Sequence, residues 1–330
     1  YQKRNLISYW MNCLFKSFNF PGSQIILQEA LTIKENWKHD YKKIGDIEIH
    51  YVEQGSGDLV ILLHGFPDFW YSWRKQIPVL SNNFRVVAPD LRGYNKSSKP
   101  EGVDNYSAPL LVEDILGLIE TLGETKATII GHDWGGFVAW NLAMMAPEKV
   151  SSLVIINCPH PVPLLEAFWS MRFQQLQKSW YVFFFQIPTV PEEILSRNNY
   201  EVLQSMVLGS ITKQTFKEED LAKYIQAWSQ PGALEASINY YRANWNIAQM
   251  LSIKREHQES FIQRFPKIRC PTLVIWGEKD VALDKSLLYG LEEHIEESFN
   301  IIYHPESGHW VHIEAPDLVN NAILSFLCKL

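Results

Sequence analysis

Cysteine is scarce in this sequence, which has four in 330 residues: Cys13, Cys158, Cys270 and Cys328. They form no CxxC pair and no other spacing typical of metal ligands. A disulfide framework belongs mainly to small secreted domains, so we interpret all four as reduced thiols. The scarcity favours reducing, cytoplasm-facing surroundings. The spacing of the cysteines therefore gives no sign of a cysteine-bound metal site.

An excess of positive charge is also missing. Thirty Lys and Arg residues stand against 37 Asp and Glu, which gives a net charge of -7 at pH 7. Proteins whose main partner is a nucleic acid usually carry a basic patch and a basic overall balance. The composition therefore argues against nucleic acid as a partner.

Long apolar runs are absent as well. The stretch from Leu6 to Phe20 is apolar and aromatic, but Asn12 and Lys16 are among the polar residues that interrupt it. A membrane span needs roughly 18 uninterrupted apolar residues. We predict that residues 1–40 form a lead segment with a helix packed on the domain. The alternative is peripheral membrane contact through this segment.

Apolar runs of strand length do occur, and helical stretches separate them. The runs Leu59–Leu63 and Leu153–Ile156 are apolar throughout, as in strands that are buried on both faces of a parallel sheet. The stretches Leu110–Leu122 and Asp317–Leu327 have helical patterns. This alternation predicts an α/β protein with a mostly parallel central sheet flanked by helices.

The alternation breaks between residues 159 and 265, where the sequence is rich in aromatics and interrupted by prolines. We therefore predict an α/β core formed by residues 41–158 and 266–330, with a helical cap formed by residues 159–265. Ligands of open α/β sheets bind beyond the carboxyl ends of the strands, so we expect the cap to cover that edge.

A glycine-flanked turn with an aspartate follows one of the predicted strands. The sequence Gly-His-Asp-Trp-Gly-Gly spans residues 131–136, between an apolar strand and a helical run. Strand, tight turn and helix form the setting of a nucleophile elbow. The residue at its centre is Asp133, and a carboxylate attacks carbon without first losing a proton to a base.

A second loop, His64-Gly65-Phe66-Pro67, directly follows another predicted strand. It could direct the Phe66 N–H toward the elbow, where this group and the Trp134 N–H would form an oxyanion hole. The Phe66–Pro67 bond is a candidate for the cis form, because tight functional turns are where cis-proline occurs.

An acid and a histidine follow the elbow in the chain. Asp280 ends a predicted strand, and His309 lies in a late loop. The order nucleophile, acid, histidine allows His309 to act as a base that Asp280 orients. The rival position for the acid is residue 157, which is an asparagine. This favours Asp280.

Tyrosines in the predicted cap are further candidate site residues, although a cap tyrosine considered alone is more often part of the core or rim. Tyr181 lies in an aromatic run, and Tyr240 and Tyr241 are adjacent. Spacing alone does not decide between Tyr240 and Tyr241.

These motifs together resemble the epoxide hydrolases of the α/β-hydrolase superfamily, from about Tyr41 to Leu330. The resemblance implies the α/β-hydrolase fold, an epoxide as substrate, and neither a metal nor an organic cofactor. The aromatic residues of the predicted cap favour a lipophilic epoxide. The resemblance also implies that Asp133 forms an alkyl ester, that His309 with Asp280 activates water, and that Tyr181 and Tyr241 protonate the epoxide oxygen. Phe66, Trp134 and Trp310 are expected to contact the substrate. The lead segment is similar to the stretch that follows the anchor in the membrane-anchored branch.

Two rival functions remain. A haloalkane dehalogenase uses the same Asp elbow, but its second halide donor is often an Asn where this chain has Phe66. A catalytically silent α/β-hydrolase that binds a ligand or partner is the other. All predicted catalytic positions are filled, which weighs against it.

Overall fold

The computed structural model describes residues 37–210, 215–245, 250 and 252–329. The predicted lead segment, residues 1–40, lies almost entirely outside the described residues, as does Cys13. The three cysteines within them, Cys158, Cys270 and Cys328, are free thiols. None of the helices in the described part of the chain is both long enough and apolar enough to cross a membrane.

Eight strands form one sheet. They are β1 Lys38–Ile44, β2 Ile47–Gln54, β3 Leu59–Leu63, β4 Arg85–Pro89, β5 Ala127–His132, β6 Val150–Ile156, β7 Thr272–Gly277 and β8 Phe299–His304. Their order across the sheet is β1-β2-β4-β3-β5-β6-β7-β8. The pairs β1–β2 and β2–β4 are antiparallel, whereas the pairs from β4–β3 to β7–β8 are parallel. The predicted fold class is therefore confirmed.

Twelve α-helices are numbered here along the described residues. They are α1 Ile77–Leu80, α2 Ala108–Thr121, α3 Trp134–Met145, α4 Pro161–Trp169, α5 Phe173–Lys178, α6 Trp180–Phe185, α7 Val190–Ser210, α8 Glu218–Trp228, α9 Ala233–Asn244, α10 Arg255–Ile262, α11 Val311–Glu314 and α12 Pro316–Leu327. Residues 197–200 interrupt α7 with non-helical backbone. Short 3-10 turns span Trp70–Trp73, Val103–Tyr106, Pro147–Lys149, Lys285–Leu288 and Leu291–His294.

The central strands lie in the core. Every residue of β3, β5 and β7 is buried. Helices cover a parallel sheet on both faces, so its central strands need apolar side chains on both sides. The edge strand β1 is mostly polar and partly exposed, and it begins inside the stretch predicted to be the lead segment.

The segment between β6 and β7 is helical. It contributes α4 to α10, and the described residues there include no strand of the sheet. The boundaries of the predicted cap, residues 159 and 265, remain a prediction.

The carboxyl ends of three neighbouring strands meet at one edge of the sheet, and a fourth ends beside them. Leu63 at the end of β3 pairs with Gly131 of β5, and His132 at the end of β5 pairs with Ile156 of β6. Ile156 in turn pairs with Ile275 near the end of β7. This register brings the loops that carry the predicted site residues together.

Candidate active site

Asp133 occupies the sharp turn between β5 and α3. Its φ of 50° and ψ of -121° lie outside the regions that residues with a side chain usually adopt. The turn is possible because glycines let the neighbouring backbone approach closely: a Cβ atom at Gly135 would collide with the main-chain carbonyl of Leu63. The predicted elbow is therefore present, and its carboxylate lies at the amino end of a helix, where a negative charge is stabilised.

The loop after β3 supplies a hydrogen-bond donor to this carboxylate. The Phe66 N–H donates to Asp133 Oδ1 over 2.8 Å, and the Phe66–Pro67 peptide bond is cis. The backbone of the loop lies so close to the elbow that a Cβ atom at Gly65 would overlap the Asp133 side chain. The Phe66 donor thus lies where a negative oxygen would develop on an acyl group at Asp133.

His309 lies between two carboxylates. Its Nε2 atom is 3.5 Å from Asp133 Oδ2, and its Nδ1 atom is 2.7 Å from Asp280 Oδ2. Asp280 is fixed in turn, because its Oδ1 accepts hydrogen bonds from the N–H groups of Ala282 and Leu283 and its Oδ2 accepts one from Asn157 Nδ2. The rival position for the acid therefore holds an amide that supports Asp280. The three side chains of the predicted triad lie in one contiguous arrangement.

The charges in this arrangement are strongly coupled. Burial by itself lowers the pKa of the His309 imidazole, but the charge of Asp280 and the hydrogen bonds to Asp133 and Asp280 outweigh burial and raise that pKa to about 10. Burial raises the pKa of the Asp280 carboxyl, but the charge of His309 and the surrounding donors lower it below its usual value. Each group thus favours the charged form of the other.

A cavity beside Asp133 is lined mostly by apolar side chains. They include Phe137, Leu164, Phe168, Trp245 and Leu283, together with Trp134. Asp133 and the tyrosines Tyr181 and Tyr241 line the same cavity. A mostly apolar cavity with a few polar groups that fix orientation is the usual form of a small-molecule site.

The two adjacent tyrosines of α9 have different surroundings. Tyr241 lines the cavity, and its ring lies 4.9 Å from that of Trp134 and 5.8 Å from that of Tyr181, centroid to centroid. Tyr240 is fully buried, and its hydroxyl donates to the main-chain oxygen of Arg92 over 2.7 Å. The structure therefore brings Tyr241, and not Tyr240, to the cavity together with Tyr181.

Both cavity tyrosines are held in the neutral form. Burial, followed by the charge of Asp133, raises the pKa of Tyr181 and the pKa of Tyr241 well above the usual value for a phenol. A neutral phenol carries a proton that it can donate. The two side chains can therefore act as hydrogen-bond and proton donors to an oxygen in the cavity.

Of the three predicted substrate contacts, Trp134 lines the cavity, whereas Phe66 and Trp310 are not among its described lining residues. The Phe66 ring packs edge-on against the ring of Tyr241, which lines the cavity, with centroids 5.5 Å apart. The Trp310 indole Nε1 donates to Asp68 Oδ2 over 2.9 Å and is part of a buried polar network. Substrate contact by these two side chains stays a prediction.

Asp68 is the centre of this network, which the sequence motifs did not reveal. Its carboxylate also accepts hydrogen bonds from Ser72 Oγ over 3.1 Å and from Tyr224 of α8 over 2.8 Å. His132 Nδ1 lies 3.6 Å from Asp68 Oδ2. The sequence does contain one hint of this network, because two of its residues adjoin predicted site motifs: Asp68 follows Phe66-Pro67, and His132 precedes Asp133.

Asp68, His132 and His312 also form the only cluster in the described part of the chain that has metal-ligand composition. Their potential ligand atoms lie within 4.8 Å of one another. The Asp68 carboxylate already accepts three hydrogen bonds, and His312 Nε2 is bonded to Ser72 Oγ at 2.9 Å. Hydrogen bonding explains most of this cluster, and the absence of a metal site remains a prediction.

The chain matches a known family over most of its length. Residues 58–316 match the family described as the alpha/beta hydrolase fold. Together with the sheet order and the elbow, this match makes the chain a member of the α/β-hydrolase fold family.

Similarity to individual proteins identifies the branch of this family to which the chain belongs. The chain is 39% identical to epoxide hydrolase 4 of Homo sapiens over 299 residues, which cover 88% of this chain and 78% of that protein. The crystal structure of a Bacillus megaterium epoxide hydrolase with an inhibitor is 33% identical, has a TM-score of 0.80, and is matched over 87% of this chain and 99% of that one. A point mutant of an epoxide hydrolase from the same organism, complexed with its product (R)-3-[1]naphthyloxy-propane-1,2-diol, has the same identity and coverage and a TM-score of 0.78. The chain belongs to the epoxide hydrolases, and it is a hydrolase enzyme.

Proposed function

We propose that this enzyme hydrolyses lipophilic epoxides to 1,2-diols through a covalent ester on Asp133. The observation that carries the proposal is that one apolar cavity is lined by the Asp133 carboxylate and by the neutral phenols of Tyr181 and Tyr241. A carboxylate attacks an epoxide carbon without a base, whereas the epoxide oxygen, a poor leaving group, needs a proton donor.

In the first half of the reaction, Asp133 Oδ2 attacks a ring carbon. Oδ1 accepts the Phe66 hydrogen bond, so Oδ2 is the freer nucleophile. The bond between that carbon and the epoxide oxygen breaks, and the electron pair moves to the oxygen. Tyr181 and Tyr241 hydrogen-bond this oxygen, and one of them transfers its proton to it. The result is a hydroxyalkyl ester of Asp133.

In the second half, His309 is the base. Ester formation removes the negative charge of Asp133, which helps to raise the pKa of His309. The imidazole can then be neutral at lower pH and can accept a proton from a water that attacks the acyl carbon. Asp280 stabilises the imidazolium, and the Phe66 N–H, with that of Trp134, stabilises the oxyanion. Collapse breaks the bond between the acyl carbon and the ester oxygen. The departing alkoxide takes the proton of the newly formed carboxylic acid, so the diol leaves and the Asp133 carboxylate is restored. The proton on His309 returns through solvent to the tyrosine.

The lining of the cavity supports the proposed substrate class. Aromatic and aliphatic side chains provide most of its surface. Burial of apolar substrate surface against them contributes about 25 cal/mol for each Å² removed from water. The naphthyloxy diol bound in one related structure also carries a large aromatic group. We therefore propose an epoxide with an apolar substituent.

Replacement of the proposed base tests the mechanism. In His309→Gln, we expect epoxide treatment to add the mass of one substrate to the peptide that contains Asp133, because the ester forms but is not hydrolysed. Intact-protein and peptide mass spectrometry measure this adduct, and Asp133→Asn in the same background is the matched control. Diol release by His309→Gln at the wild-type rate would contradict the mechanism.

Bromoalkanes, tested beside epoxides, distinguish the proposed function from the two rival functions. Wild-type enzyme is incubated with an epoxide panel and, in parallel, with bromoalkanes of matched chain length. We expect diol from the epoxides and no bromide from the bromoalkanes, since Phe66 provides no side-chain donor for a halide. Bromide release would favour a dehalogenase. Neither product, with ligand binding retained, would favour a silent binding protein.

A further inference from the structure

His132, the residue before the proposed nucleophile, is fully buried and contacts the loop that carries the proposed base. Its Nε2 atom lies 2.9 Å from the main-chain oxygen of His309. A carbonyl oxygen only accepts hydrogen bonds, so this nitrogen must carry the proton and donate it. The rings of His132 and His309 are also adjacent, with centroids 4.7 Å apart.

The other nitrogen of His132 faces Asp68. Nδ1 is buried 3.6 Å from Asp68 Oδ2 and makes no hydrogen bond to the described residues. Asp68 accepts hydrogen bonds from Trp310, the residue after His309, and from Tyr224 in the predicted cap. His132 thus lies between the nucleophile elbow and Asp68. The Asp68 carboxylate in turn accepts hydrogen bonds from the loop that carries His309 and from the helical segment between β6 and β7.

We propose that His132 is a positioning residue for the hydrolytic half of the reaction, because its Nε2–H group holds the main chain of His309 at a fixed distance from the elbow. The inference rests on the proposed function. This hydrogen bond restrains the main chain of His309, and the main chain determines where the His309 imidazole lies relative to the acyl carbon of an Asp133 ester. The attack of Asp133 on the epoxide does not use His309.

The hydrogen bond from Nε2 to the His309 carbonyl, and not the proximity of Nδ1 to Asp68, makes His132 a positioning residue. In length, a Gln side chain places its amide nitrogen near the Nε2 position of histidine, and an Asn side chain places it near the Nδ1 position. His132→Gln therefore keeps a donor for the His309 carbonyl and loses the group beside Asp68. His132→Asn keeps a group beside Asp68 and loses the donor to His309.

Single-turnover kinetics on the full chain separate the two halves of the reaction. Alkylation is followed as substrate mass on the enzyme, and hydrolysis as decay of that mass after excess substrate is removed. For His132→Asn we expect hydrolysis to slow by about ten- to hundredfold, since small displacements of a catalytic group have effects of this size. Alkylation should change by less than about threefold. His132→Gln should hydrolyse the ester at close to the wild-type rate.

A control for the loss of any buried histidine is available in β2. His50 is fully buried and pairs with buried Asp90 at 2.6 Å. We expect His50→Gln to leave both rates unchanged after correction for the folded fraction, which thermal unfolding measures for every variant.

Several results would overturn the inference. They are wild-type hydrolysis in His132→Asn, equal slowing of both steps, or a larger defect in His132→Gln than in His132→Asn. Failure of the proposed function is a distinct outcome, because wild-type enzyme would then form no ester on Asp133 at all.

Discussion

For two adjacent tyrosines, Tyr240 and Tyr241, one position along a helix determines whether the side chain faces the protein interior or the cavity. Tyr240 donates to the Arg92 carbonyl in the interior, whereas Tyr241 lines the cavity beside Asp133. On a helix, neighbouring residues point about 100° apart, so only one of the two can face the substrate.

This difference predicts that the same substitution, Tyr to Phe, slows catalysis at position 241 and lowers stability at position 240. We expect Tyr241→Phe to slow alkylation by about ten- to hundredfold, because one of two acid groups is lost, and Tyr181→Phe combined with it to slow alkylation far more. Tyr240→Phe should leave alkylation nearly unchanged and lower the free energy of unfolding by about 1 kcal/mol through the lost hydrogen bond. Rapid-quench mass spectrometry and chemical denaturation measure these quantities. A catalytic defect in Tyr240→Phe alone would show that our assignment is off by one residue.

At the scale of elements, the site depends on how closely the loop after β3 approaches the elbow. Gly65 lies against the side chain of Asp133, and Gly135 lies against the backbone of Leu63 and His64. A Cβ atom at Gly135 would push α3 away from the end of a central strand. A Cβ atom at Gly65 would instead separate one loop from the elbow, because the Asp133 carboxylate can rotate but its Cβ atom moves only with the turn.

Gly65→Ala should therefore impair function more than stability. The new methyl group separates the Asp133 carboxylate from the Phe66 N–H, and we expect alkylation to slow by about a hundredfold. The unfolding temperature should fall less than in Gly135→Ala, the comparison variant, for which we expect little folded protein. Single-turnover mass spectrometry and thermal scans measure the two effects. Normal alkylation in Gly65→Ala would contradict the close approach.

At the scale of the whole molecule, several hydrogen bonds connect the helices between β6 and β7 to the α/β core. Trp228 Nε1 donates to the Pro67 carbonyl over 2.6 Å, and Tyr71 of the core donates to Asp220 Oδ1 over 2.9 Å. Tyr224 donates to Asp68 Oδ1 over 2.8 Å. These residues are buried, so each bond is shielded from competition with water.

We therefore expect the core and the helical segment above it to unfold together. Calorimetry should give one transition for them, with equal calorimetric and van't Hoff enthalpies. Trp228→Phe, which loses the bond to Pro67, should lower its midpoint by about 2–4 °C. Limited proteolysis during heating provides a second probe. Cleavage between residues 161 and 262 well below the midpoint would mean that the two parts unfold separately.

The sequence predicted the parallel strands well because burial on both faces requires runs of apolar residues, as in Leu59–Leu63. It missed β1, since an exposed edge strand can be polar: Lys38–Ile44 contains four charged residues that the pattern does not distinguish from a loop. For Trp310, an aromatic residue beside a proposed base is equally compatible with a cavity and with a buried hydrogen bond, and the structure shows the hydrogen bond to Asp68. Substrate contact by Trp310 stays a prediction.

Local motifs and their order were enough to predict the fold class and the chemical types in the site: an aspartate at an elbow, a later acid and a later histidine. The contacts between these side chains and their neighbours depend on how distant parts of the chain pack together. Asn157 supports Asp280, Tyr241 faces the cavity, and His132 connects the elbow to the base loop. The last of these contacts joins residues 177 positions apart in the chain. Such partners are set by the packing of helices on the sheet, which no local pattern encodes.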